Sequence, residues 1–304
     1  MKRRRLGTSD LYVSEMGLGC MSLGQDEAHA TRIIHAALDA GVNFLDTADL
    51  YDQGVNEELV GKAIADRRDE VILATKVGNH WQPGKPGWFW DPSKAYILSA
   101  VKDSLRRLGT DYIDLYQLHG GTIDDPIDET IEAFEQLCDE GVIRYYGISS
   151  IRPNVIREYA ARSRIVSVMM QYSLLDRRPE ESVLSLLEER GISVIARGPL
   201  ARGLLTQTRA DTKDEEGYLD YTPQELSDTR QRLSAYAKAS GHSLTELALR
   251  YPLTHPAVAT VIPGASRMEQ LTENVQAMTA SPLSAKDIAA LRQLTRANRY
   301  LQHR

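Results

Sequence analysis

The chain has 304 residues, 42% hydrophobic and 26% charged, with a formal net charge of -6. That is the composition of a globular protein, and the acidic balance argues against a nucleic-acid or anionic-membrane footprint. The two cysteines, Cys20 and Cys138, stand far apart in no metal-ligand spacing, so neither a disulfide framework nor a metal site is expected.

The start, MKRRRLGTSD, is basic but lacks the apolar stretch of a signal peptide. No apolar run reaches the ~18 residues of a membrane span, so a cytoplasmic protein is expected. A Gly-Thr-Ser-Asp turn suits a small hairpin closing on Tyr12-Val13, with the arginines as a solvated end. From there short apolar runs alternate with helical patterns. Strands are predicted at 15–19, 43–45, 71–75, 113–118, 145–148, 167–171, 193–196 and 259–262. Helices are predicted at 30–40, 56–65, 95–108, 127–139, 155–161 and 183–189, where apolar residues recur every three to four positions. Gly41, Gly109, Gly141 and Gly191 each follow a helical run and precede a strand, the place of a left-handed helix end. This alternation implies a parallel sheet with helices outside it. At this length it implies an α/β fold of the (β/α)8 TIM-barrel type, one domain over residues 1–304. The irregular stretch 202–221 after the seventh strand is too long for a passive connection and reads as a functional cover.

In such a barrel the chemistry sits where the strands end. The first run ends in Gly19-Cys20-Met21 and the second in Asp46, with Tyr51 just beyond. The next ends are Lys76, His119, Ser149-Ser150, Gln171 and Arg197, and the eighth run opens a Gly-rich helix start. Singly, each has an ordinary explanation: an N-cap carboxylate, a packing tyrosine, a hydrogen-bonded histidine, a solvated lysine. Gathered at one mouth they suit the reduction of a carbonyl. Hydride must reach carbon while a positioned acid gives oxygen a proton. A tyrosine, with its ordinary pKa of about 10, is a poor donor until a neighbouring ammonium favours its phenolate. A buried Lys76 needs a partner to stay charged, and Asp46 can be that partner. His119 would hydrogen-bond the substrate oxygen and orient it.

The stretch Asp46-Thr47-Ala48-x-x-Tyr51, Lys76 and the Leu-His at 118–119 resemble the aldo-keto reductases. So do MGLGCM at 16–21, YGISS at 146–150, QYSLL at 171–175, GPLARGLL at 198–205 and IPGASRMEQLTENV at 262–275. The resemblance runs in order from residue 3 to residue 297 and is nearest the bacterial, sugar-reductase-like and potassium-channel-β-like branch. It implies a barrel that binds NADP(H) extended across its mouth, with NAD(H) as the alternative, and a small-molecule carbonyl substrate. By the same resemblance Tyr51 is the proton donor, Lys76 and Asp46 tune it, and His119 orients the carbonyl. Ser149 and Gln171 match holders of the nicotinamide carboxamide. Ser150 stands where the family often has Asn. Arg197 falls where the nicotinamide ring is stacked. Gly198, Leu200 and Gly203 match the pyrophosphate strip, with Pro199 and Arg202 in the same stretch. Gly19, Cys20 and Met21 join the cofactor set. Gly264, Ser266, Arg267, Gln270, Glu273 and Asn274 match the adenosine 2′-phosphate end, where a helix start and a guanidinium favour an anion.

All three tryptophans, Trp81, Trp88 and Trp90, fall in one loop after Lys76 and read as an aromatic pocket wall, with Met21 and Tyr51 beside it. Gly120-Gly121 and Asp124-Asp125 read as solvated turn residues. Three rivals stand beside the reductase. GLGCMS at 17–22 starts a Rossmann-like fingerprint but lacks its third glycine. A Schiff-base aldolase also needs a lysine at a strand end, but a neutral one. A cofactor-binding regulatory subunit is the third, against which His119 argues. The oligomeric state is left open.

Overall fold

The computed structural model describes residues 1–82, 84–207 and 216–304. Its main sheet has eight strands. We label them β1 (Leu18–Gly19), β2 (Phe44–Asp46), β3 (Ile72–Val77), β4 (Ile113–Leu118), β5 (Ile143–Ser149), β6 (Ser167–Gln171), β7 (Ser193–Arg197) and β8 (Val258–Ile262). Each pairs in parallel with the next in chain order. Parallel bridges Met16 to Val261 and Gly19 to Gly264 bring the first strand back to the last, so the sheet closes into a barrel. Helices fill the crossovers: α1 (Glu27–Asp39), α2 (Val55–Ile64), α3 (Lys94–Leu108), α4 (Ile127–Asp139), α5 (Pro153–Arg162) and α6 (Val183–Glu189). After β7 come α7 (Pro223–Ser240) and α8 (Leu244–Arg250), and after β8 α9 (Met268–Thr279) and α10 (Ala285–Leu294).

Helix α3 shows how the sequence writes such an element. Ser93 caps it by accepting from the Tyr96 N–H, and Ile97, Ala100, Val101, Ser104 and Leu108 recur on the buried face. Arg106 and Arg107 lie in its last turn, favourable against the helix dipole, and Gly109 ends it at φ +61°. Ser93→Ala would remove the cap at a cost of about 1 kcal/mol. Helices α7, α8 and α10 carry no alternation signal of that strength, but each opens with a capping box, at Thr222/Glu225, Ser243/Glu246 and Ser284/Asp287.

The core has two layers. Strand faces pointing outward pack against the helices. Faces pointing inward bring Phe44, Ala74, Leu115, Met169, Ile195 and Ala259 together. The N-terminal hairpin, Arg3–Arg5 paired with Tyr12–Ser14, adds Leu6, Leu11 and Val13 to this inner layer. The expected hairpin is thus present, with Arg3 and Arg5 exposed and Arg4 half-buried, and its apolar residues plug the N-terminal end of the barrel. Arg4 pairs with Glu15 at 2.7 Å and donates to the Val258 carbonyl. Of the expected cover at 202–221, residues 208–215 lie outside the described residues. Among the described residues no helix is long and apolar enough to cross a membrane.

Candidate active site

The C-terminal ends of the strands surround a cavity of about 1160 Å³. On its floor, Asp46 is the last residue of β2 and Lys76 lies one residue before the end of β3. Parallel register sets Lys76 beside Gln117 of β4. The Lys76 ammonium donates to Asp46 Oδ2 at 2.6 Å, to the Thr47 carbonyl at 2.7 Å and to Tyr51 Oη at 3.2 Å. Gln117 Nε2 donates to the other Asp46 oxygen at 3.3 Å. Lys76 and Asp46 are almost wholly buried. Burial opposes the ammonium, but Asp46 and Tyr51 overcome it, so Lys76 is held above its ordinary range. Burial raises the Asp46 carboxyl, and Lys76 and Gln117 draw it back.

The chain turns sharply to present Tyr51. Asp52 and Gln53 are left-handed at φ +49° and +53°, ahead of Gly54 at +89°. Left-handed geometry costs an ordinary residue about 1–2 kcal/mol. The start of α2 braces the turn. Asn56 accepts from Thr47 Oγ1 at 2.7 Å and donates to the Cys20 carbonyl at 2.9 Å. Glu57 accepts from Thr75 Oγ1 at 2.6 Å and pairs with Arg107. The sequence run Asn56-Glu57 reads only as helix, yet it ties the ends of β1, β2 and β3 together.

His119 follows β4 and meets the Tyr51 ring edge-on, with centroids 5.9 Å apart. Burial first, then Lys76 and Arg197, push the imidazole down to about 3, so it is neutral at physiological pH. Its Nδ1 has no hydrogen-bond partner within the described chain.

The aromatic loop is a second hairpin, Asn79–His80 paired with Phe89–Trp90. Trp90 lines the cavity because glycines let it lie flat on the barrel rim. A Cβ on Gly78 would come within 2.6 Å of its ring, and one on Gly120 within 3.1 Å. Its indole N–H donates to Asp125 Oδ2, which also accepts from the Thr122 N–H. Gly120 and Gly121 are thus parts of the wall and Asp125 braces it, rather than being solvated turn residues. Trp88 and Met21 line the same cavity. Trp81 does not: its indole N–H turns to the Asp49 carbonyl at 2.8 Å, under the guanidinium of Arg107.

Ser149, Ser150, Gln171 and Arg197 line the cavity together with Gly19. Gln171 accepts from Arg197 Nη1 at 3.3 Å and donates to Tyr218 Oη at 2.9 Å. Gly198, Pro199, Leu200, Arg202 and Gly203 continue the wall. Gly264, Ser266, Arg267, Gln270, Glu273 and Asn274 complete it. A Cβ on Gly264 would fall 2.6 Å from Ser22 Oγ, so a side chain there would require the Ser22 hydroxyl to move. Cys20 is the exception among the expected cofactor residues. Its thiol is fully buried behind the wall, beside the Leu18 carbonyl, and burial raises it far above its ordinary range.

Tyr218, Gln117, Asn79 and Arg152 were not legible as site residues. Gln117 carries a signal in retrospect: strand alternation puts it on the same face as His119.

The Aldo/keto reductase family matches residues 15–296. The uncharacterized oxidoreductase YqkF of Bacillus subtilis (strain 168) is 60% identical, with 100% of each chain covered. The structure of aldo-keto reductase AKR11C1 from Bacillus halodurans (holo form) shares 62% identity and superposes with a TM-score of 0.95, covering 100% of this chain and 99% of that one. Glycerol dehydrogenase AKR11B4 from Gluconobacter oxydans shares 28%, with a TM-score of 0.86 over 96% of this chain and 94% of its own. By family and by close relatives, the chain belongs to the aldo/keto reductases and is an oxidoreductase.

Proposed function

We propose that the protein reduces aldehydes or ketones to alcohols with NADPH. The observation that carries this is one ammonium, Lys76, bonded at once to Asp46 and to Tyr51 on the floor of a cavity large enough for cofactor and substrate. When bound, the nicotinamide cofactor supplies the hydride. The chain's own residues handle the proton. Tyr51 Oη gives its proton to the substrate oxygen, and the phenolate left behind is stabilised by the Lys76 ammonium. Asp46 keeps that ammonium charged, and Gln117 holds Asp46 in place. A neutral His119 donates an N–H to the carbonyl and orients it without competing as an acid. A charged Lys76 is also why we set aside Schiff-base chemistry.

Ser149, Ser150 and Gln171 suit a carboxamide, and Arg197 offers a planar face for a ring. The start of α9 offers backbone N–H groups to a phosphate, and Arg267 at its N-cap adds positive charge. This favours NADPH over NADH.

The test is a titration of the protein with NADPH beside NADH, followed by NADPH oxidation at 340 nm with aromatic aldehydes, methylglyoxal and sugar aldehydes. Tighter NADPH binding with turnover is expected. Binding without turnover on any carbonyl would replace the reductase with a cofactor-binding regulator.

A further inference from the structure

Arg68, Arg107 and Arg178 pair with Asp114, Glu57 and Asp176, and the buried Arg250 is satisfied by the Ala277, Met278 and Ala280 carbonyls together. Arg152 differs. It lines the cavity at the start of α5, and its Nη1 donates to the Gly121 carbonyl. No carboxylate among the described residues pairs with it. Asp125, four residues after the Gly121 that Arg152 bonds, is already engaged: Oδ1 accepts from Thr122 Oγ1, and Oδ2 accepts from the Thr122 N–H and the Trp90 indole. Asp46, the carboxylate on the cavity floor, is held by Lys76.

The position is informative. Gly121 follows Gly120, which lies against the Trp90 ring, and Gly120 follows His119. Arg152 therefore stands on the same wall as the aromatic rim and the residue proposed to orient the carbonyl. The cofactor reading makes no use of it. A guanidinium held at one nitrogen by a backbone carbonyl keeps its remaining N–H groups for an anion, and its planar fork matches a carboxylate.

We propose that Arg152 selects aldehydes bearing a carboxylate, with the Trp88 and Trp90 rim covering an apolar or aromatic spacer between carboxylate and carbonyl. The proposal rests on the reductase reading and narrows its substrate class.

The test compares 4-carboxybenzaldehyde with its methyl ester, whose aldehyde is intrinsically the more electrophilic because the ionised carboxylate withdraws little electron density, so a preference for the acid cannot come from reactivity. The readout is the ratio of kcat/KM for acid over ester. The wild-type ratio should favour the acid about tenfold, a size suited to one partly screened charge-assisted contact. Arg152→Gln should bring the ratio close to one, and Arg152→Lys should keep part of it. Raising salt to about 0.5 M should shrink the wild-type ratio, because the contact is solvent-accessible. That salt series decides the matter should the Gln variant fold poorly. A wild-type ratio at or below one overturns the proposal. So does an unchanged ratio in Arg152→Gln, whether or not NADPH binding weakens. If ester and acid are both inert while other aldehydes are reduced, this proposal falls alone; if no carbonyl is turned over, the reductase reading falls and takes this proposal with it. If the ester is reduced and the ratio is flat, only the carboxylate preference falls.

Discussion

The two ends of the barrel are built on opposite terms. At the N-terminal end the hairpin seats Leu6, Leu11 and Val13 on the inner core. The charged group buried there is matched: Asp114 accepts from Arg68, Arg144 and the Leu73 N–H, and Ser167 Oγ at the start of β6 is the unpartnered atom at this end among the described residues. At the C-terminal end the chain leaves a cavity and keeps exceptions around it. His119 Nδ1, Gln117 Oε1, Asp49 Oδ1 and Ser22 Oγ are buried without a partner in the described chain. Asp52 and Gln53 hold left-handed backbone beside Tyr51. Unmatched polar atoms and strain both cost stability, so they persist where something other than stability is selected. One end holds the barrel together, and the other is where it acts.

Substitutions at the two ends should therefore separate activity from stability. Tyr51→Phe removes the proton donor and keeps the ring against His119. It should lower kcat by about 10³-fold while NADPH still binds. Retained turnover would remove Tyr51 from the acid role. At the other end, Leu11→Ala empties part of the plug and should cost about 2–5 kcal/mol in urea unfolding. Its kcat/KM at a temperature where it stays folded should match the parent. A large kinetic loss in Leu11→Ala would show that the two ends are coupled.

The same division governs what could be read in advance. The barrel was legible because its repeat is written in local chemistry: apolar strands, three- to four-residue helical spacing, and the glycines Gly41, Gly109, Gly141 and Gly191 between helix and strand. The residues at the strand ends were legible because a strand that stops on Asp46, Lys76 or His119 points each side chain into one mouth. What escaped depends on folding distant segments together. Gln117 looks like strand filler until β3 and β4 pair and set it against Asp46. Tyr218 reaches Gln171 from 47 positions away, beyond α6 and β7 and from the irregular stretch that follows them. Trp81 was misplaced because three tryptophans in one loop look alike in sequence. The hairpin at Asn79–His80 and Phe89–Trp90 turns Trp90 into the cavity, whereas the Trp81 indole N–H bonds to the Asp49 carbonyl.

Asp49 gives a pH test of the strained end. Burial, with Glu57 adding to it, pushes its carboxyl up to about 8. Unfolded, the group loses its proton near the ordinary value of 3.8, whereas the folded chain keeps it until about 8. The folded state thus binds the extra proton across that interval, and stability falls as pH rises through it, levelling off above. Asp49→Asn cannot ionise and can still accept from Tyr96 Oη. Its unfolding free energy relative to the parent should climb between about pH 5 and pH 8. A difference that stays flat over that range would mean that the carboxyl is ionised in the folded protein.

The smallest effect should come from the outer margin of the functional end, where solvent weakens each contact. Arg267 is exposed at the start of α9, and no acid among the described residues pairs with it. NADPH and NADH differ only by the 2′-phosphate, so they isolate that one interaction. Arg267→Ala should raise the NADPH dissociation constant about five- to tenfold, in keeping with one screened charge-assisted contact. The NADH constant should hardly move. Adding salt should narrow the gap between the cofactors in the parent and leave the variant nearly flat. Equal losses for both cofactors would instead place Arg267 in support of the α9 start and remove it from recognition of the 2′-phosphate.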